Sequence, residues 1–323
     1  MEFRYQSVPL NSINCEDFRF RITEQEVSTL LCQSIRQLGL INPPVLLENA
    51  SGFRVVCGFN RLAACRQLKM AEIYCRILDA DTPLDRCISF AIADNACQRT
   101  LSLIEQARAV ALLASCSPDR GDLIGKANAL GLAVNRELVG KLLQVNDMND
   151  LLKTGIAHGS IALPVALQLQ SIHDASFIKE LGTLLTELDL SLNRQREMLD
   201  WVVSICRRDN IDPLQLLSMG SIQGIRENQK IDRKEKGRQI REKLRKIRFP
   251  AISSHEQRLA EIVARLRLSS GTHLIAPQHF ESPIFSLKFD FRNRQELSDK
   301  LYEFDRLNKT DLIDSLWENS QTE

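Results

Sequence analysis

GFRVVCGFNRLAACRQLKM (52–70) decides the architecture of the first third of the chain. FRVVCG (53–58) reads as a strand, and NRLAACRQL (60–68) opens a helix immediately after Gly58. Working outward, PPVLLEN (43–49) is a second strand, joined to the first by the turn Ala50–Gly52. Residues 24–38 read as a helix, with Val27, Leu30, Leu31, Ile35 and Leu38 at helical spacing and Gly39 as its stop. IYCRIL (73–78) is a further strand and 84–97 a further helix. These signals predict an α+β unit over residues 1–101.

The strand–glycine–helix junction has a chemical use. Backbone N–H groups at a helix start favour anions, Gly58 lets a phosphate come close, and Arg61 on the first turn supplies a charge-assisted fork. The bland reading is a tight turn. In AIADNACQRTLSLIEQAR (91–108), Asp94 and Asn95 either end a helix or hold a divalent cation beside a phosphate.

From Ser102 the pattern turns helical. Ser102-Leu-Ile-Glu105 is a capping box, and the helix behind it runs to about Ser115. DLIGKANALGLAVNRELVGKLLQV (122–145) fits a helix-turn-helix: Ala127 permits close approach, Gly131 the turn, and Asn135 caps the second helix. Arg136, Lys141 and Gln144 are then polar groups able to meet phosphates or base edges, although generic helical hairpins share the pattern. MNDLLKTG (148–155) and further segments extend the helical region to about Cys206.

Residues 230–248 hold ten basic and three acidic residues, a local excess of +7 in a chain whose net charge is +1. Lys234, Lys236, Arg238, Arg241 and Arg245 are the candidate DNA contacts here. A solvated, salt-laced helix or linker is the alternative. Pro250 closes the run. Beyond it, 255–268 and 294–307 read as helices and 272–277 and 284–291 as strands, an αββα unit. Phe285, Leu287, Phe289 and Phe291 alternate with polar residues as on a strand with one buried face. Leu297, Leu301 and Phe304 mark the final helix. A segment so small needs a partner surface, which predicts dimerisation.

Composition narrows the classes. At roughly 150 residues per domain, 323 residues make two to three domains. With 44% hydrophobic and 26% charged residues the chain is neither disordered nor fibrous. Its longest apolar runs are short, such as VALL (110–113), so no segment is expected to span a bilayer, and MEFRYQSVPLNS lacks the apolar stretch of a signal peptide. Nine cysteines without a C-x-x-C read as reduced cytoplasmic thiols. No histidine precedes His158, which disfavours a mixed zinc site or a Cys–His nucleophile in the first half.

In this order the features resemble the ParB family of chromosome and plasmid partition proteins: a ParB/sulfiredoxin-like domain, a helix-turn-helix domain and a C-terminal dimerisation domain. The resemblance covers nearly the whole chain. Gly58-Phe59-Asn60-Arg61, followed by Leu62-Ala63-Ala64, lies where the family has Gly-Glu-Arg-Arg and an Ala-containing helix. Asp94-Asn95-Ala96-Cys97-Gln98-Arg99 lies where it has Glu-Asn-x-Gln-Arg, and Leu101, Ile104, Glu105 and Ala107 follow on family positions. The expected layout is 1–101, a helical DNA-binding domain 102–212, a basic linker 213–250 and a dimerisation domain 251–323.

The resemblance implies a CTP and Mg2+ site built from Arg19, Arg21, Gly58, Asn60, Arg61, Asp94, Asn95 and Arg99, with Asp94 and Asn95 at the metal. It implies double-stranded DNA and a second copy of the chain as partners, with a partition ATPase as a further one, and a nucleoid-associated, cytoplasmic location. The departures count against the nucleotide. Phe59 replaces the motif glutamate, Asn60 an arginine, Asp94 the longer glutamate, and Gln98 takes the arginine position with Arg99 one residue on. Losing a metal-directed carboxylate should weaken binding and harm hydrolysis more. Sulfiredoxin chemistry is disfavoured because its reactive cysteine falls at Phe59, while Cys57 reads as a buried strand cysteine. The expected function is a DNA-binding, partition-type dimer. A CTP hydrolase, a nuclease (for which Asp94 is nearly the whole acidic complement) and a transcription regulator on the same fold are the alternatives.

Overall fold

Strands with alternating or continuous apolar character gather first, in a mixed five-stranded sheet of order β1-β5-β3-β4-β2. The computed structural model describes residues 3–24, 27–50, 52–117, 119–277, 280 and 282–317. Gln25, Glu26 and Ser51, within the helix expected at 24–38 and the turn expected at 50–52, lie outside them. The strands are β1 (Arg4–Pro9), β2 (Ile13–Asn14), β3 (Val45–Asn49), β4 (Gly52–Cys57) and β5 (Glu72–Leu78). β1 runs antiparallel to β5, β3 parallel to β5 and antiparallel to β4, and β2 parallel to β4. Helices α1 (Thr29–Leu38), α2 (Phe59–Gln67) and α3 (Leu84–Ala96) complete this part.

Val8, Ile13, Ile35, Leu46, Val55, Leu62, Cys65, Ile73, Cys75 and Ile77 make one core. The helix expected from residue 24 begins at Thr29, where the Ser28 hydroxyl accepts the Leu31 N–H. Its inward stripe is Leu31, Cys32 and Ile35, whereas Leu30 and Leu38, expected on the core face, are exposed. α1 packs chiefly against α2, so a narrow inward stripe suffices.

The helical region follows the expected segments closely. It comprises α4 (Leu103–Ala114), α5 (Arg120–Ala129), α6 (Arg136–Asn146), α7 (Asp150–Ala157), α8 (Leu163–Gln170) and α9 (Ala175–Glu187). α4, lined by Ile104, Ala107, Val110 and Leu113, is the hub on which α5, α6 and α7 pack. The capping box is present: Ser102 Oγ accepts the Glu105 N–H at 3.2 Å and Glu105 accepts the Ser102 N–H at 2.9 Å. The chain divides into two compact units, 1–195 and 196–323.

The second unit contains most of α10 (Leu192–Asp209), then α11 (Pro213–Leu217), α12 (Gly220–Glu227), α13 (Arg233–Arg248) and α14 (Pro250–Leu266). The hairpin β6 (Thr272–Ile275) and β7 (Ser286–Phe289) and the helix α15 (Arg294–Asn308) follow. The stretch expected as a linker is therefore largely helical. Ile240 and Leu244 bury one stripe of α13, and an apolar stripe every three to four residues is what makes a charged run fold. The inward face of α15 is Lys300, Glu303, Phe304 and Leu307, and Leu301, expected to mark it, is exposed. Lys300 Nζ donates to Ser269 Oγ, the Ser270 carbonyl and Thr272 Oγ1, while Glu303 accepts from the Ser269 N–H and hydroxyl and from Thr272. These bonds satisfy two nearly buried charges and tie α15 to the start of the hairpin. Among the described residues no helix is long and apolar enough to cross a membrane.

Candidate nucleotide cradle and nucleic-acid interface

Gly58 occupies the N-cap of α2 with φ +91°, a left-handed conformation that glycine adopts at little cost. A Cβ there would lie 2.9 Å from Pro44 Cβ and 3.1 Å from Arg61 Nε, so the junction also requires glycine sterically. The freedom at Gly58 therefore brings β4, Pro44 and the Arg61 side chain together. Arg61 and Asp94 meet as expected, but they bind each other. Arg61 donates to Asp94 Oδ2 at 2.5 Å and to the Asn42 carbonyl at 2.9 Å. Both side chains are less than one-fifth exposed, at 17% and 18%. The other Asp94 oxygen accepts from Gln98 at 3.3 Å. Asn95 turns its amide N–H back to the Ala91 carbonyl, as a side chain late in a helix can. Cys57, beside this pair, is buried on β4, and burial followed by the nearby Asp94 charge pushes its thiol far up.

Four of the implied nucleotide residues lie apart from the Arg61–Asp94 pair. Arg99 forks onto Glu105 at 2.7 and 2.6 Å, so it braces the α4 capping box. Burial would raise the Glu105 carboxyl, but its bonds from Arg99 and Ser102 hold it below the usual range. Asn60 and Arg21 line a cavity of about 380 Å3 together with Phe59 and Arg66. Arg19 and Arg21 also line a larger groove with Phe18 and Arg108. The Phe59 ring, in the motif glutamate's place, lies 6.4 Å from that of Phe18.

Residues that sequence reasoning did not single out are Asn42, Phe18, Arg66 and Arg108. The first contributes only a carbonyl, and the rest carry no pattern that separates them from ordinary surface residues. The donor set does not fit a magnesium ion. Mg2+ takes oxygen ligands in near-octahedral array, and the one implied carboxylate, Asp94, has both oxygens engaged. Among the described residues no group of three His, Cys, Asp or Glu could hold a metal ion.

The α5–α6 pair forms the expected hairpin. Gly131 sits at φ +90° in the turn and Ala127 is buried. Asn128 adds a clamp: its amide donates to the Val134 carbonyl at 3.1 Å and accepts the Val134 N–H at 3.0 Å. Asn135 caps α6 by accepting the Leu138 N–H at 2.8 Å. Arg136 and Gln144 are exposed. Lys141 is half-exposed and pairs with Glu137 at 2.5 Å, and that contact lowers the Glu137 carboxyl.

On α13 most of the implied cations have partners within the second unit. Arg238 bonds to Glu235 at 2.6 and 2.8 Å, and this holds the Glu235 carboxyl down at about 2. Arg241 pairs with Glu197 and lies over the Trp201 ring, and Arg245 forks onto Glu256 at 2.7 and 2.6 Å. Lys236 donates to the Arg226 carbonyl at 2.6 Å. Lys234 and Lys243 are exposed and have no ion-pair partner among the described residues.

Residues 2–96 match the ParB N-terminal domain family. Over residues 2–96 the chain is similar to that family. Among solved structures it is similar to the C-terminally truncated chromosome-partitioning protein ParB from Caulobacter crescentus complexed with CTP-gamma-S. That alignment has 17% identity and a TM-score of 0.26, covering 56% of this chain and 98% of that one. The same protein complexed to the centromeric parS site aligns at 15% identity and TM-score 0.35, over 60% and 98% of the two chains. A Pnob8-like ParB-N domain aligns at 14% identity and TM-score 0.37, over 76% and 98%. No curated protein sequence matches the chain.

Proposed function

We propose that this protein is a partition-type, DNA-binding dimer whose α6 helix reads duplex DNA and whose α2 cradle is degenerate. The observation that carries the reading is a capped helical hairpin, α5–α6, in the same compact unit as the stretch 2–96 that matches the ParB N-terminal domain family. α6 presents Arg136 on its first turn and Gln144 near its end, both exposed, in a geometry suited to a groove. The Glu137–Lys141 pair is exposed and weak, so Lys141 can exchange Glu137 for a phosphate.

Residues 102–212 are assigned to DNA binding and 251–323 to dimerisation. The β6–β7 hairpin leaves Ile275, Ile284, Leu287 and Phe291 exposed, an apolar surface that a second copy would cover. The cradle binds CTP weakly and does not turn it over appreciably, because Asp94 already neutralises Arg61. Selection of bound duplexes from a random library by the full chain tests the reading. Enrichment of one motif that Gln144→Ala relaxes supports it, and no enrichment at low salt rejects it.

A further inference from the structure

One face of the sheet is left open where β1 and β5 pair. Side chains alternate along a strand, so Val8, Ile73, Cys75 and Ile77 enter the core and their neighbours point the other way. Among the strands α3 packs chiefly against β4, which leaves Tyr5, Ser7 and Tyr74 exposed. Tyr5 lies opposite Arg76 and Ser7 opposite Tyr74, so the two tyrosines are diagonal neighbours on that face. Their rings stack with centres 6.0 Å apart and planes 23° from parallel, and each residue is 54% exposed. Phe3, two residues before Tyr5, carries the Arg76 guanidinium 5.4 Å from its ring centre. The Phe90 ring of α3 lies 5.3 Å from that of Phe3 and carries Arg86 at 6.0 Å.

Aromatic residues scattered singly over a surface are ordinary, but a stacked group bordered by guanidinium groups is a patch. Arg86 is exposed, and its side chain has no hydrogen-bond or ion-pair partner among the described residues. Asp85 beside it turns its carboxylate to the Arg86 backbone N–H at 2.8 Å. Arg76 donates Nε and Nη2 to the Pro43 carbonyl at 3.4 and 3.2 Å, which orients the group and leaves Nη1 for an incoming oxygen. Glu72, on the same side of β5, is four residues or roughly 13 Å along the strand from Arg76, beyond a Debye length at physiological salt. Ring faces stack on bases of any identity, and guanidinium forks suit phosphate oxygens. In a duplex the bases already stack on one another, so this chemistry selects unpaired ones.

We propose that the β1–β5 face binds single-stranded nucleic acid, with Tyr5 and Tyr74 stacking on bases and Arg76 and Arg86 meeting phosphates. It is a second nucleic-acid site, built from residues other than those of α6, and it stands whether or not α6 reads a duplex.

Fluorescence anisotropy of the full chain with a labelled oligo(dT) of about 15 nucleotides, beside a labelled duplex, tests the site. Tyr5→Ala and Tyr74→Ala should each weaken the single strand by about fivefold or more and leave the duplex within about twofold. Arg86→Gln should lower the salt slope for the single strand by about 0.7 unit. Arg136→Ala should weaken the duplex and leave the single strand within about twofold. Circular dichroism checks folding. Should Tyr74→Ala fail to fold, Tyr5→Ala and Arg86→Gln decide, because both side chains lie on the surface. A single strand that binds while no duplex does upholds this site and rejects the α6 reading. No binding of oligo(dT) by the folded wild type at about 50 mM salt overturns the site. So does binding that the tyrosine variants keep and Arg136→Ala loses. Amide exchange across 4–9 and 72–78 that a polyproline peptide slows and oligo(dT) does not would overturn it in favour of a peptide.

Discussion

Replacing Arg99 with alanine separates two roles for one residue, a ligand contact and a brace for the fold. In the structure Arg99 makes two short bonds to Glu105, whose side chain is 2% exposed, while Arg99 itself is one-third exposed. Removing the guanidinium leaves a carboxylate that is buried except where the arginine stood, with the Ser102 N–H still donating to it. Breaking a buried ion pair from one side costs about 3–5 kcal/mol. Water can enter where Arg99 was, so the expected loss falls at or below the floor of that range, about 2–3 kcal/mol. Glu105→Gln keeps a side chain that can complete the capping box and leaves Arg99 free to be solvated, so it should cost less, about 1 kcal/mol. The double variant should be more stable than Arg99→Ala alone.

The pH dependence has a definite sign. Glu105 is held below its ordinary value in the native state, so its stabilisation is fully present above the unfolded value, about 4.3, and is lost as pH falls through the lower native value. Without Arg99, burial raises the group instead, and the deficit of the variant should shrink as pH falls from neutral towards about 4. Amide hydrogen exchange across residues 102–114, with urea denaturation followed by circular dichroism, reads both effects. A deficit below about 0.5 kcal/mol, or one unchanged by pH, would refute the brace.

Gly58→Ala places a Cβ 2.9 Å from Pro44 at a positive φ, and should destabilise the first unit by about 1–3 kcal/mol in a denaturant titration. Asn128→Ala removes both bonds that clamp the α5–α6 turn, and should cost about 1–3 kcal/mol and weaken DNA binding. Lys234→Gln with Lys243→Gln should flatten the slope of log affinity against log salt by up to about two units, whereas Arg245→Gln, already paired with Glu256, should change it less. In sedimentation at micromolar concentration, Leu287→Asp should shift the full chain from dimer towards monomer.

Local signals carried well from sequence to structure. Ser102 with Glu105, and Asn135 at the start of α6, are short-range capping patterns that depend on three or four residues, and each forms as read. β4, α2 and β5 follow from apolar runs set off by Gly58. β1 had no comparable signal: RYQSVP exposes five of its six residues, as an edge strand paired on one side can. The face of α1 and the inward face of α15 were misread because tertiary packing, not periodicity, selects which of several apolar residues turn inward. The site was legible as a set of residues but not as a set of partners. Arg61 and Asp94 do meet, yet nothing in the spacing says that they bond to each other. Arg99 entered the implied site through its place beside the family motif, and nothing in the spacing shows its bonds to Glu105. The charge of 230–248 was plain, but the cancelling carboxylates Glu197 and Glu256 lie outside that run.

The central claim, that α6 engages duplex DNA, is tested most directly by the salt dependence of affinity for a selected duplex. Fluorescence anisotropy over about 50 to 200 mM salt on the full chain and on Arg136→Ala would measure it. The wild type should show a steep slope, and the variant weaker binding with the slope reduced by about one unit. An affinity that barely responds to salt, or that stays the same when Arg136 and Gln144 are both replaced by alanine, would contradict it.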